Sequence, residues 1–537
     1  MITEEEMSLQ QDFILGVDYI NRNSQYFHSF NPDEVNNFHI SISGSSGSGK
    51  TRMLKHLISY LQRLNKHIHV IDVKGDLFID GENYIDFPIR NQKYGINPFE
   101  FDKSILTGGV KRRSGEIVDM IVKSFNLKIG AAKKDVISRL ILDTYKFKGI
   151  TEDESTWGLD LKKDEQASIL PSVEDLVLLL NTILDAVNYG HSNKLDKSMI
   201  KFGKEAVKSS SKHSRISSVR DRIFSTLKDK YIHEAEAILS AHPEKDLDIT
   251  VLELMEGDLE FAKIKELDRD LLIEMQTIND AKSKFLETAT YMFDSYINND
   301  GQSLNHSFDN FVNEDDILKG IDLKYYSKKN VIDMLEGVSV YFNMLLSSGL
   351  FNKNIPPVRA GLNRYDISKH NQATQVFFTE VIAHKLFNVT KLRGDYTSLP
   401  QALRDKRGAK NDTFLVVDEA QVVLPDINAK DKESSTQIFN RIASESRSKG
   451  LGLILSSQSL TKFSNVVNIN IPNKIIFKTL GSDINATRKL VNIQDKKDSS
   501  FTKINASFGI GLYINESQEK NLFLAPWYSD TKIKKKI

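Results

Sequence analysis

The chain has 537 residues, 72 basic and 72 acidic, with 40% hydrophobic and 27% charged residues and no cysteine. That composition fits a globular protein with a real core, as one large domain with insertions or as two or three domains, and it excludes disulfides and Cys-ligated zinc or iron–sulfur sites. The acidic start "MITEEEMSLQQDF" carries no secretory signal and no stretch approaches the ~20 apolar residues of a membrane span, so the expectation is a cytoplasmic protein without a membrane segment. Zero net charge leaves nucleic acid open, because a local basic stripe suffices to bind it.

The first strong pattern is "FHISIS" (38–43), alternating like a strand. It runs into Gly44-Ser45-Ser46-Gly47-Ser48-Gly49-Lys50-Thr51, followed by Arg52. Met53, Leu54, Leu57, Ile58, Leu61 and Leu64 then recur at helical spacing. The central stretch matches the P-loop GxxxxGK[ST]. A triphosphate must approach the backbone closely, so side chains are absent and successive N–H groups converge on the phosphates at a helix N-terminus. Lys50 is expected at the β/γ-phosphates and the Thr51 hydroxyl on Mg²⁺. A Gly/Ser surface linker has the same composition, but the strand–loop–helix setting decides against it. Residues Gly44 to Arg52 are therefore the expected ATP-binding segment.

A second strand, "HIHVIDVKGDL", ends in Asp72 and Lys74-Gly75, and "YGINPFEF" carries a turn at Asn97-Pro98. From about 105 to 345 the pattern is mostly helical, with a polar loop or partner surface at 296–323. Strands return at "GLNRYDIS" (361–368), "TFLVVDEAQVVLP", "LGLILSSQS" and "PNKIIFKTL", separated by helices such as "TQIFNRIASESRSKG", and "IGLYINESQEKNLFLAP" reads as a terminal hairpin. Strands alternating with helices imply an α/β fold with a mostly parallel sheet. The expected division is a flank at 1–38, a first core half at 39–149, a helical insertion at 150–345 and a second core half at 346–537.

Hydrolysis needs a second acidic site. Asp418 closes an apolar strand, where a carboxylate can hold Mg²⁺ through its water shell, and Glu419 can polarise the attacking water. A solvated strand end would look the same; pairing with the P-loop favours the catalytic reading. Gln458 ends the next strand, either facing the γ-phosphate or serving as a local hydrogen-bonding residue. Arg447 ends a helix, where a cation suits the dipole, or it neutralises charge on a neighbouring subunit's γ-phosphoryl group. Arg441 competes for that role. The stretch 199–231 gathers Lys201, Lys204, Lys208, Lys212, Arg215, Arg220 and Arg222, which suits sequence-independent contact with a DNA backbone or a solvated helix face.

The segments "GSSGSGKT", "VIDVKGD", "GINPF", "LNRYDIS", "LVVDEAQVVLP" and "ESRSKGLGLILSSQSL" resemble the HerA/FtsK superfamily of ring ATPases, and in particular its HerA-like and conjugation-coupling members. The resemblance covers about 39–100 and 360–525. It implies RecA-like cores in a homo-hexameric ring, ATP hydrolysis between subunits and translocation of double-stranded DNA or helicase-like work. Lys50, Thr51, Asp418 and Glu419 match the two Walker motifs, Gln458 the strand-end sensor and Arg447 the arginine acting in trans. Kinship also suggests a nuclease or other effector partner and a part in antiphage defence. About 38 residues precede the first core strand, too few for the N-terminal barrel of HerA proper, and the helical insertion has no match. An ATP-gated scaffold or a protein-export ATPase are the alternatives.

Overall fold

The computed structural model describes residues 13–19, 32, 35, 37–90, 92–104, 108–159, 169–192, 197–296, 318, 320–407, 410–424, 437–493, 495 and 498–528. It divides into two compact units, Met1–Val177 with Met334–Ile537, and Leu178–Asp333. The sequence pattern draws the helical insertion at 150–345; the division between the units falls within the helices Val173–Ser192 and Lys329–Ser347.

The first unit is built on a ten-stranded sheet in the order β1-β10-β9-β8-β2-β7-β6-β3-β5-β4. The strands are β1 Val17–Asp18, β2 Ile40–Ser43, β3 His67–Asp72, β4 Asn83–Asp86, β5 Leu362–Asp366, β6 Thr413–Val417, β7 Leu451–Ser457, β8 Asn473–Ile476, β9 Ile510–Ile514 and β10 Lys520–Leu524. From β8 to β4 every pairing is parallel. The β9–β10 hairpin and β1 extend it antiparallel. The central strands β2, β6 and β7 are buried along their whole length, as a parallel sheet covered on both faces requires.

Helix α1 (Lys50–Arg63) buries Met53, Leu54, Leu57, Ile58 and Leu61 against the sheet, the stripe the spacing predicts. Helices α2 (Val110–Ser124), α3 (Ala131–Phe147), α4 (Gln372–Leu392) and α5 (Ile438–Glu445) belong to the same unit. Strand β1 has two residues, too few to show an alternation, and β4 buries only Ile85 of its four and so shows none. The stretch before the first core strand joins the fold: Phe13 and Leu15 are fully buried and β1 pairs with β10.

The second unit is a helical hairpin. A 45-residue helix, Lys197–Ala241, packs along a 38-residue helix, Leu259–Tyr296, with Leu247–Met255 between them. Leu227, Ala235, Val251, Met255 and Ile264 form its small core, with Ala206 and Ala281 making a second contact. Most of the polar segment 296–323 lies outside the described residues.

Candidate nucleotide site

Parallel strands bring their C-terminal ends to one edge, and the candidate residues follow those ends. Ser43 of β2 lies in register with Ser457 of β7, and Val417 of β6 with Leu455 of β7. The Gly44 N–H donates to the Ser457 carbonyl (3.2 Å), and the Asp418 N–H to the Ile71 carbonyl (3.2 Å). The P-loop, Asp418 and Gln458 thus emerge side by side.

Gly44 and Gly49 are required by geometry. Their φ values are 153° and 108°. A Cβ on Gly44 would stand 2.6 Å from Ser48 Oγ and 2.8 Å from Phe477 Cβ, closer than atoms pack. Lys50 is buried and its Nζ donates to the Ser45 carbonyl (3.2 Å), so the ammonium lies back over the loop where a phosphate would sit. Burial pushes its pKa down, opposed by the charges of Glu419 and Asp418.

Asp418 and Glu419 are both buried. Burial raises the Asp418 pKa, with the Ser456 hydroxyl beside it working the other way. Glu419 sits in the left-handed region at φ 48°, a strained position for a residue with a Cβ. Burial opposes its charge, but hydrogen bonds from Lys74 and Gln421 and the Lys74 and Lys50 charges outweigh it and hold the carboxyl below the usual range. One oxygen of Glu419 pairs with Lys74 Nζ. The other accepts from Gln421 Nε2 and from Gln458 Nε2 (3.3 Å). The structure therefore brings Lys50, Asp418, Glu419 and Gln458 together.

Lys74 and Gln421 escaped the sequence reading. Lys74 is held by the turn after β3, where Asp72 accepts from the N–H groups of Lys74 (3.2 Å), Gly75 (2.7 Å) and Leu77 (3.1 Å). Arg364, 2% exposed, fixes Asp72 from the neighbouring strand (2.8 Å) and grips Glu82 with two bonds (2.8 and 2.7 Å). Only the phrases "VKGD" and "LNRYD" hinted at this pair.

Arg447 is elsewhere. Helix α5 stops at Glu445, earlier than the apolar pattern implies. The Ser446 hydroxyl donates to the Ile442 carbonyl (2.7 Å), and Gly450 at φ 84° turns the chain into β7. Arg447 lies in the short turn between, exposed, and no described residue pairs with its guanidinium. It precedes β7, whereas Gln458 follows it. Seven residues of strand put roughly 23 Å between the two ends. Arg447 cannot reach its own P-loop. Arg441 is committed internally, 3.8 Å from Glu116 and 3.5 Å from Glu445, over the Phe387 ring.

The residues fit a nucleotide that brings its own metal. Thr51 and Asp418 would hold Mg²⁺ together with phosphate oxygens and waters, the usual arrangement for this ion. Among the described residues no group of three or more His, Cys, Asp or Glu could hold a metal unaided. No described helix is long and apolar enough to cross a membrane.

Residues 30–101 match the family of type IV secretion-system coupling protein DNA-binding domains. No curated protein matches the chain. Among solved structures, VirB4 of Thermoanaerobacter pseudethanolicus is 12% identical with a TM-score of 0.51, covering 96% of this chain and 97% of that one. The bacterial conjugative coupling protein TrwB is 9% identical over 97% of this chain and 90% of its own, at a TM-score of 0.41. The genome packaging NTPase B204 from Sulfolobus turreted icosahedral virus 2 is 16% identical over 31% of this chain and 68% of that one, at 0.21. The likeness to VirB4 is one of fold; the other two scores are too low to carry an argument. That fold beneath a complete P-loop and a buried Asp-Glu strand end makes the chain similar to the FtsK/HerA-type P-loop ATPases.

Proposed function

We propose that this protein is an ATP-driven ring motor that translocates double-stranded DNA. The carrying observation is that Lys50, Asp418, Glu419 and Gln458 converge on one sheet edge while Arg447 sits at the opposite end of β7. Glu419, kept ionised by Lys74, is poised to orient water, and Lys50 to take the phosphates. An exposed arginine that cannot serve its own site can serve a neighbour's. A head-to-tail arrangement that uses it in every subunit closes into a ring, most simply a homo-hexamer.

DNA is favoured by the second unit. Of the cations on its first long helix, Lys212 pairs with Glu274 and Arg220 with Asp268 (2.7 Å) on the facing helix. Lys204, Lys208, Arg215 and Arg222 are exposed and recur at intervals of four and seven residues, which return to one helical face. Buried Ala206, Leu227 and Ala235 mark the opposite face. A row of exposed cations over about five turns suits backbone phosphates irrespective of sequence. The match to a coupling-protein DNA-binding domain supports the same substrate.

Turnover of the wild-type protein with and without duplex DNA, alongside the mass of the assembly, tests this reading. A ring whose rate rises with DNA supports it. A monomer indifferent to DNA overturns it, and a ring indifferent to DNA favours an ATP-gated scaffold or a protein-export ATPase.

A further inference from the structure

The P-loop orients a nucleotide as well as binding it. Its γ-phosphate end must face Glu419 and Gln458, which follow β6 and β7 on one side of β2. The base must therefore leave on the other side, towards β8, β9 and β10. One large aromatic reaches the P-loop from there. Ala525, just past β10, is buried and its N–H donates to the Gly509 carbonyl (2.9 Å), which turns the following Pro526–Tyr528 back over the sheet edge. This brings Trp527 to the loop. A Cβ on Gly49 would stand 3.4 Å from Trp527 Cζ2 and 3.7 Å from its Nε1, ordinary contact distances. The Arg52 guanidinium, in the first turn of α1, stands 5.7 Å from the ring centroid. Trp527 is only half-buried, packed against the main core on part of its surface.

We infer that Trp527 is the wall on which the nucleotide base stacks, with Arg52 beside it as the cation at the base's polar edge. This deepens the ATPase reading and rests on it. A planar ring beside the phosphate cradle, on the side away from the water-orienting carboxylate, lies in the direction in which the nucleoside of a bound triphosphate must leave. Stacking uses the π-face that every base offers and grows with its area, so the site should prefer purine over pyrimidine nucleotides.

The chain has two tryptophans, which makes the test direct. In a Trp157→Phe background, with excitation selective for indole over phenol, only Trp527 emits. ATP should quench that emission, whereas inorganic triphosphate, which has no base, should bind the P-loop and leave it unchanged. Trp527→Leu keeps apolar bulk against the core but removes the aromatic face. Its KM for ATP should rise roughly tenfold, the size of one base–aromatic stack, with kcat kept and the preference for ATP over CTP narrowed. Trp527→Phe should recover most of the loss. An active wild type with unchanged KM and base preference in Trp527→Leu, or a Trp527 emission indifferent to ATP, overturns the base wall and leaves the ATPase reading intact. A wild type that neither binds nor hydrolyses ATP overturns both.

Discussion

Cations meet opposite fates in the two units. In the sheet unit Lys50 is buried in the phosphate loop, Lys74 is paired with a buried carboxylate, and Arg364 is enclosed between Asp72 and Glu82. In the helical unit Lys204, Lys208, Arg215 and Arg222 stand in solvent. A charge taken out of water must be met at a fixed place, because an uncompensated one costs several kcal/mol. An exposed charge is screened within about 10 Å at moderate salt and its contribution is small and nearly interchangeable with its neighbours'. On the proposed reading, chemistry is therefore concentrated in single irreplaceable residues in one unit, and contact with DNA is spread over a row in the other.

The largest effect is expected at Lys50. Lys50→Ala should show no measurable phosphate release while its thermal midpoint stays near wild type. A folded variant with near-normal turnover would break the contrast at its root. Next comes Arg447→Ala, expected to assemble and bind ATP yet lose roughly a thousandfold in turnover. Mixed with Glu419→Gln, it should regain activity that neither variant shows, since some interfaces then carry an intact Glu419 on one side and an intact Arg447 on the other. No recovery from mutants shown to co-assemble would mean that Arg447 is not the finger or that the ring needs every site, and Arg441→Ala in the same mixture separates the two. Glu419→Gln by itself should bind ATP normally and turn over roughly a hundredfold or more slowly, as loss of a water-orienting base implies. Collapse of ATP affinity would reassign it.

The smallest effect concerns pH. Burial, first, and then neighbouring cations push His39 and His69 down to about 4, and burial pushes His384 to about 3. All three titrate near 6.5 once unfolded. Between about 6.5 and 4 the unfolded chain takes up protons that the folded one does not, so stability falls as pH falls through that window. Thermal melts of the full chain should show a falling midpoint there, and His39→Gln should flatten part of the slope. A midpoint that holds from 6.5 to 4 would show that these rings are protonated in place.

The P-loop and the Asp-Glu pair were legible because each lies in one short run whose flanks carry a strand or helix period. Lys74 was not, because its meeting with Glu419 depends on β3 lying beside β6 across hundreds of residues of sequence. Trp527 was hidden for the same reason, being near the P-loop only through the order of the sheet. The basic stretch was visible as composition, but which cations are taken up in ion pairs across the hairpin was decided by Glu274 and Asp268 on the opposing helix. Strand β1 is too short to carry a period, and β4 buries only one of its four residues, which leaves none to read. Helix α5 ended early through one serine hydroxyl, a local bond that apolar spacing does not encode.

The division of labour between the units can be measured in one titration. Lys204→Gln, Lys208→Gln, Arg215→Gln and Arg222→Gln combined remove the exposed row and leave Lys212 and Arg220 in their ion pairs. ATP turnover is followed against duplex DNA at several salt concentrations. The account predicts a DNA-free rate equal to wild type, loss of stimulation at DNA concentrations that saturate the wild type, and a salt dependence of DNA affinity shallower by roughly three to four on a log–log scale. Stimulation of the fourfold variant at wild-type DNA concentrations and with the wild-type salt slope would contradict it.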